Sequence, residues 1–486
     1  MSPTPSLVLS LARQAREHPD RNAVTDGTSA LSWVELDRLA NRAGRALAAQ
    51  GVRFGDMVTI AATNTADTVI AVYACWKIGC IPQPVCPAAP QREIDRVADL
   101  AQSRLLVGDA SILTTRPRFT AREMAASAED DTPLPDVVSP SWKALTSGGS
   151  TGLPKLIVSG DPATQQATNH RLARRDADDI AVVPGPLYHN GPFISAFGAL
   201  AAGARVVLLP RFDAARVLAT VAAAKATWLY LVPTMMSRIS KLPAAIREGY
   251  DVSSLRTVWH FAAPCPQWLK QQWIDWLGPD VIWELYAGTE AQAITVISGR
   301  EWLAHRGSVG KPFKGEIRIL TETGREAETG EIGEVFMRGS PGAAPSYRYV
   351  GALPKTRGGW ESLGDMGWRD RDGYLYLADR EADMILVGGA NVYPAEVEGA
   401  LEEHPAVASC AVIGLPDDDL GSRVHAIIHR NFEITAEEVL SHLSARLARY
   451  KLPRTVEFAP VPLRDDAGKV RRFALRQERL LQPGRA

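Results

Sequence analysis

The chain has 486 residues, 46% of them hydrophobic and 22% charged, with a formal net charge of -1. That length exceeds one small core and predicts a large domain with a smaller companion. The charge balance excludes a strong field for nucleic acid or anionic lipid, and no apolar run approaches the roughly 20 residues of a membrane span.

Ser32 and Glu35 form a capping box, and Leu36, Leu39, Ala43 and Leu47 follow at helical spacing up to Gly51. Met57–Ala62 reads as a strand, Ala66–Gly79 as a helix and Ile81–Val85 as a strand, an alternation that predicts parallel α/β layering. The segment from Ala125 to Ser141, rich in Asp, Pro and Ser, reads as a surface loop. Short β-branched or aromatic runs at Arg205–Leu209, Thr227–Val232, Leu255–Phe261 and Val281–Tyr286 continue the pattern as buried strands. From about Gly315 the pattern changes to short strands with Gly-bearing turns, at Glu316–Leu320, Glu334–Arg338 and Tyr374–Leu377, which predicts a β-rich module. The charged segment Asp379–Asp383 marks the domain boundary. Beyond it lie a helix from Pro394, strands at Val407–Ile413 and Val424–Ile428, a helix capped by Thr435 with Glu438, and a strand near Thr455–Phe458. The fold class is therefore α/β, with a small α+β domain at the C-terminal end.

Five short segments carry chemistry. In Leu145-Thr146-Ser147-Gly148-Gly149-Ser150-Thr151-Gly152-Leu153-Pro154-Lys155, glycines can turn backbone N–H groups around a phosphate, while hydroxyls and a lysine add donors. Leu153 rather than Lys follows Gly152, so the loop is not a Walker loop. Tyr286-Ala287-Gly288-Thr289-Glu290 follows an apolar strand, where a base can stack on Tyr286, a phosphate can meet Thr289, and Glu290 can hold magnesium. Asp365 and Arg380 suit a ribose diol. Gly388-Gly389, ahead of a helix opened by Pro394, make a loop free of side chains. Lys469 stands near the C-terminus. Alone, each segment also reads as an ordinary turn, surface ion pair or solvated lysine.

Together and in this order, from about Asp20 to Arg476, the five resemble the adenylate-forming superfamily of acyl-CoA synthetases, luciferases and adenylation domains. The likeness is above all to bile-acid-type and medium-chain acyl-CoA ligases and to stand-alone amide bond synthetases. The resemblance implies an N-terminal domain over 1–380 that binds acid and ATP, and a mobile C-terminal domain over 381–486. It implies ATP and magnesium as cofactors, with Ser147, Gly148, Gly149, Ser150, Thr151, Gly152 and Lys155 around the β- and γ-phosphates. The family usually carries Ser where Gly148 stands, a departure that loosens the cradle. Tyr286, with Ala287 and Gly288, would pack on adenine against Ala262, Ala263 and Pro264. Thr289 would contact the α-phosphate, Glu290 the metal, and Asp365 with Arg380 the ribose.

The implied reaction is in-line attack of a carboxylate on the α-phosphorus, which needs cations and positioning rather than a general base. Lys469 is therefore expected to be catalytic, with Glu290 and Thr289. His189 would stand beside the acyl site, and Tyr188, Phe193, Trp259 and Phe261 would line an aromatic slot for an aryl or polycyclic acid. Gly388 and Gly389 would flank the acceptor tunnel, with coenzyme A as the expected acceptor and an amine as the alternative. Arg423, Arg446 and Lys451 are candidates for a surface site for the coenzyme A nucleotide. A carrier-loading domain and a nucleotide-binding protein without catalysis are further readings, the second opposed by the presence of Glu290 and Lys469. Ala382, at the expected hinge, lacks the polar side chain usual there. The five cysteines lie at no metal-ligand spacing, and residues 1–11 lack the features of a signal peptide, so free thiols in a cytoplasmic setting are expected.

Overall fold

The computed structural model describes residues 4–148, 154–168, 172–380, 383–387, 390–417, 419–465 and 468–481. A long sheet runs through the large domain. Asn22–Thr25, Arg205–Leu208, Ile180–Val183, Trp228–Leu231, Thr257–His260 and Ile282–Tyr286 are neighbours in that order, all parallel. These strands are nearly continuous apolar runs because helices cover the sheet: Asn190–Ala202 and Gln267–Leu277, for example, bury Phe197, Leu200, Leu269 and Trp273.

Past Tyr286 the pairing turns antiparallel. Ile294–Ser298 and Ser308–Lys314 carry the sheet into Leu375–Arg380, Trp360–Arg369, Gly333–Arg338 and Glu316–Leu320. The predicted β-rich module is thus hydrogen-bonded into the same sheet as the parallel core. A second parallel sheet holds Met57–Ala61 between Ile81–Pro84 and Leu106–Gly108. A third, antiparallel, joins Ala144–Gly148, Pro154–Ser159 and Tyr347–Val350.

Both predicted capping boxes are present, Ser32 with Glu35 and Thr435 with Glu438. Each opens a helix because side chain and backbone satisfy one another's donors at the first turn. One expectation is corrected: the stretch after Ala125 is not all loop, since the helix Ala121–Ser127 is capped by Thr120 and Glu123. The C-terminal segment has its own core of Val392, Val397, Leu401, Val412, Ile428 and Leu443. There Val407–Asp417 and Gly421–Arg430 pair antiparallel, and Thr455–Ala459 adds in parallel.

Candidate active site

The parallel strands release the chain at their C-terminal ends, where loops approach a ligand in folds of this kind. Two neighbouring ends, after His260 and Tyr286, open into one cleft of about 3290 Å³ between the large domain and the C-terminal segment. Ala262, in the first of these loops, holds φ at +80°, and Ala291, in the second, holds +53°. Positive φ in a residue bearing a Cβ costs energy and gathers at functional loops.

Tyr286 ends its strand with its hydroxyl donating to Asp365 Oδ2 at 2.7 Å. Asp365 faces Arg380 across the pairing of Trp360–Arg369 with Leu375–Arg380. An aromatic ring and a carboxylate are therefore fixed to each other at one edge of the cleft, suited to a base and its ribose. Ala263, Ala287, Gly288 and Thr289 line the same space.

Glu290 is buried at 5% exposure. Its Oε1 accepts the Tyr349 hydroxyl at 2.6 Å and lies 3.6 Å from Lys155 Nζ. That ammonium stands 3.8 Å from the centre of the Tyr349 ring. Burial and the neighbouring carboxylate push the Tyr349 phenol up, so it stays a donor. The strands explain the meeting: Pro154–Ser159 carries Lys155 and pairs with the strand bearing Tyr349. A buried carboxylate oriented by a hydroxyl offers one hard oxygen, which fits a magnesium ion that takes its remaining ligands from phosphates and water. Ser147 and Gly148 end a strand opposite Lys155 and Pro154. Gly149, Ser150, Thr151 and Gly152 lie outside the described residues, as do Gly388, Gly389 and Ala382; Arg380 is located by strand register alone.

His189 is the N-cap residue of Asn190–Ala202. Burial holds its imidazole down at about 4, helped by Lys469 and Arg471 and opposed by Asp465. It is neutral at pH 7, with the Lys469 charge within electrostatic reach. Lys469 comes from a tight turn in which its N–H donates to Asp465 Oδ1 at 2.9 Å. Arg464, paired with Glu398 at 2.8 Å, steadies that turn by donating to the Gly468 carbonyl at 3.2 Å. Gly468 has φ +75°, and a Cβ there would meet Thr234 Oγ1 at 2.7 Å. Only glycine lets the turn dock this closely on the helix Pro233–Ser240.

On the acyl side Tyr188, Trp259 and Phe261 line the cleft, but Phe193 does not. It is fully buried, with ring centroids 4.4 Å from Phe197 and 5.7 Å from Trp142. Helical spacing turns it onto the core face while His189 and Asn190 face the cleft, which corrects its assignment to the slot. The cleft adds residues outside the five motifs: Lys143, Arg175, Tyr230 and Tyr349. Tyr349 had no sequence signal, since its partner Glu290 is remote in the chain. Lys143 stands two positions before the glycine-rich motif, between Trp142 and Ala144, where nothing in the sequence sets it apart.

Residues 11–348 match the family described as AMP-binding enzyme, and residues 396–468 match the AMP-binding enzyme C-terminal domain. The chain is similar to a feruloyl-CoA synthase of Amycolatopsis sp, 32% identical over 96% of this chain and 97% of that one. It is similar to a 2-succinylbenzoate–CoA ligase of Bacillus licheniformis, 30% identical over 96% and 98% of the two chains. Among solved structures, o-succinylbenzoate CoA synthetase of Bacillus subtilis with its acyl-adenylate intermediate superposes with a TM-score of 0.81, at 27% identity over 96% and 97% of the chains. The same enzyme with ATP and magnesium gives 0.80 at 26% identity, over 96% and 98%.

Proposed function

This chain belongs to the AMP-binding enzyme family, and we propose that it activates an aryl carboxylic acid through the residues gathered between Tyr286, Glu290, His189 and Lys469. It is an adenylate-forming ligase: a carboxylate and ATP give acyl-AMP and pyrophosphate, and the acyl group passes to coenzyme A. ATP and magnesium serve the first step. Tyr286 stacks on adenine, Asp365 and Arg380 hold the ribose, and Thr289 with the loop Ser147–Lys155 takes the phosphates. Glu290 holds the metal, which when bound neutralises charge on the phosphates. A neutral His189 beside the attacking carboxylate neither repels nor neutralises the nucleophile, and Lys469 balances the charge that builds on the α-phosphoryl oxygens. The segment from 381 onward moves between half-reactions, and Gly388 with Gly389 then flanks the acceptor path. An aryl acid is supported by Tyr188, Trp259 and Phe261 on the cleft wall, and a reducing, cytoplasmic setting by the five free cysteines.

The observation that carries this reading is the docking of the Lys469 turn against Thr234, with the Lys469 charge within electrostatic reach of His189. Lys469→Ala is expected to cut ATP–pyrophosphate exchange at least a hundredfold while sparing coenzyme A-dependent discharge of a supplied acyl-adenylate, because the charge acts only on phosphoryl transfer. Equal losses in the two assays would remove Lys469 from that role.

A further inference from the structure

Two buried cations line the acyl side of the cleft, and neither is matched by a carboxylate. Lys143 directly precedes the strand Ala144–Gly148, is 6% exposed, and donates from its ammonium to Asn190 Oδ1. Arg175 is also 6% exposed. It donates from Nη1 to the Ile194 carbonyl at 3.2 Å and lies 4.5 Å from the centre of the Trp228 ring, while its Nε has no hydrogen-bond partner. Among the described residues neither cation forms an ion pair.

Their placement is organised by one helix. Asn190, Ile194 and Gly198 fall at i, i+4 and i+8 of Asn190–Ala202, so the two cations reach one face, Lys143 at its first turn and Arg175 one to two turns (roughly 5–11 Å) further on. Gly198 makes the room, since a Cβ there would meet Arg175 Nη1 at 1.9 Å. Burial brings the Lys143 ammonium down to about 7, opposed only by the more distant Asp161 and Glu290. It brings the Arg175 guanidinium down to about 9, opposed by Asp179. A buried charge without a partner is costly, and an opposite charge brought between two of them recovers that cost.

We infer that the acyl cavity reads a second acidic group: the substrate is an aryl acid with a distal carboxylate seated between Lys143 and Arg175, its reacting carboxylate at the His189–Glu290 end. The inference rests on the proposed function, whose substrate it narrows from aryl acids to dianionic ones. A purely structural use of the two cations, or contact of Lys143 with ATP phosphates, makes different predictions.

The test uses the full chain and acids differing at one position: cinnamic acid, 4-carboxycinnamic acid and the 4-methyl ester of the latter, with benzoic acid, terephthalic acid and monomethyl terephthalate as a shorter series. ATP–pyrophosphate exchange is read for each, and binding without ATP is read by calorimetry. In at least one series the dianionic acid should exceed its ester at least tenfold in kcat/KM and in affinity. Lys143→Met and Arg175→Met should each cut that ratio at least tenfold. Because Arg175→Met could fail to fold, the wild-type comparison and Lys143→Met decide the matter, with thermal midpoints as the check on folding. No charge preference in either series overturns the inference, as does an equal fall for all acids, or a rise in KM for ATP common to all of them. Exchange with none of the acids would count against the proposed function instead, and the calorimetric preference would still decide the pocket.

Discussion

Lys241 joins the two domains at a point where its loss should shift the balance between half-reactions. It ends the helix Pro233–Ser240 and donates to the Glu402 carbonyl at 3.0 Å and the Val407 carbonyl at 2.6 Å. The first of these acceptors lies at the last turn of Pro394–Glu402, whose carbonyls have no intrahelical partner and attract a cation. Nearby, Trp268 Nε1 donates to the Gly399 carbonyl at 3.3 Å. At its other end the helix Pro233–Ser240 receives Gly468 against Thr234, so one helix docks the C-terminal segment twice. Two charge-assisted bonds contribute roughly 1.5–3 kcal/mol each. Burial takes back part of that, since it pulls the Lys241 ammonium below its usual range despite Glu402. A net of about 2 kcal/mol follows, a shift of about thirtyfold in the equilibrium between the docked arrangement and any in which the segment has turned. Lys241→Met should therefore raise the ratio of coenzyme A-dependent discharge to ATP–pyrophosphate exchange by about this factor. The ratio is the quantity to measure, because a strongly populated docked state would hide the change in exchange alone. A folded variant whose ratio stays within twofold of wild type would refute the latch.

Glu290→Gln should lower adenylation at least tenfold and raise the magnesium needed for half-maximal rate, with the fold kept, because an amide is the poorer ligand for a hard cation; an unchanged magnesium titration would put the metal elsewhere. The neutral state of His189 has a cost in acid. Its folded value of about 4 lies below that of the unfolded chain, so the unfolded state takes up a proton first, and stability falls from pH 6.5 down to 4. At pH 5 the loss from this group is about 2 kcal/mol at most, and His189→Gln should unfold with a correspondingly shallower acid dependence; identical slopes would contradict the burial argument. Added reductant should leave the thermal midpoint and activity unmoved, since the five cysteines are free and burial raises the thiols of Cys75, Cys80, Cys265 and Cys410; a midpoint that drops would reveal a disulfide.

What could be read in advance was whatever short-range chemistry decides. The capping boxes at Ser32 and Thr435 and the short buried strands follow from local hydrogen bonding and hydrophobic runs, and the structure repeats them within a residue or two at most of their ends. The motif around Tyr286–Glu290 was legible because a strand end and its loop are contiguous. Long-range pairings were not. Tyr349 reaches Glu290, and Lys241 reaches Glu402 and Val407, only because strands and domains remote in sequence pack together. Phe193 fails for a related reason: proximity to His189 in sequence suggested the same cavity, yet a helix turns neighbouring residues onto opposite faces.

Lys143 and Arg175 belong to a third case, in which the residue type was visible but its meaning was not. A lysine beside an apolar strand is unremarkable while its surroundings are unknown; only burial and the absence of a carboxylate partner among the described residues make it informative. The same holds for Gly198, which reads in the sequence as a small helical residue and in the structure as the space that Arg175 occupies. The catalytic half of the cleft is built from contiguous motifs because every substrate brings it the same ATP. The acyl half is assembled from single residues on separate elements, Lys143 before one strand, Arg175 in a loop and Asn190 on a helix. None of the three lies within the motifs that hold the nucleotide. Substitutions at those three positions should accordingly change which acid is accepted while leaving KM for ATP in place, and that division of effects follows from how the chain is laid out.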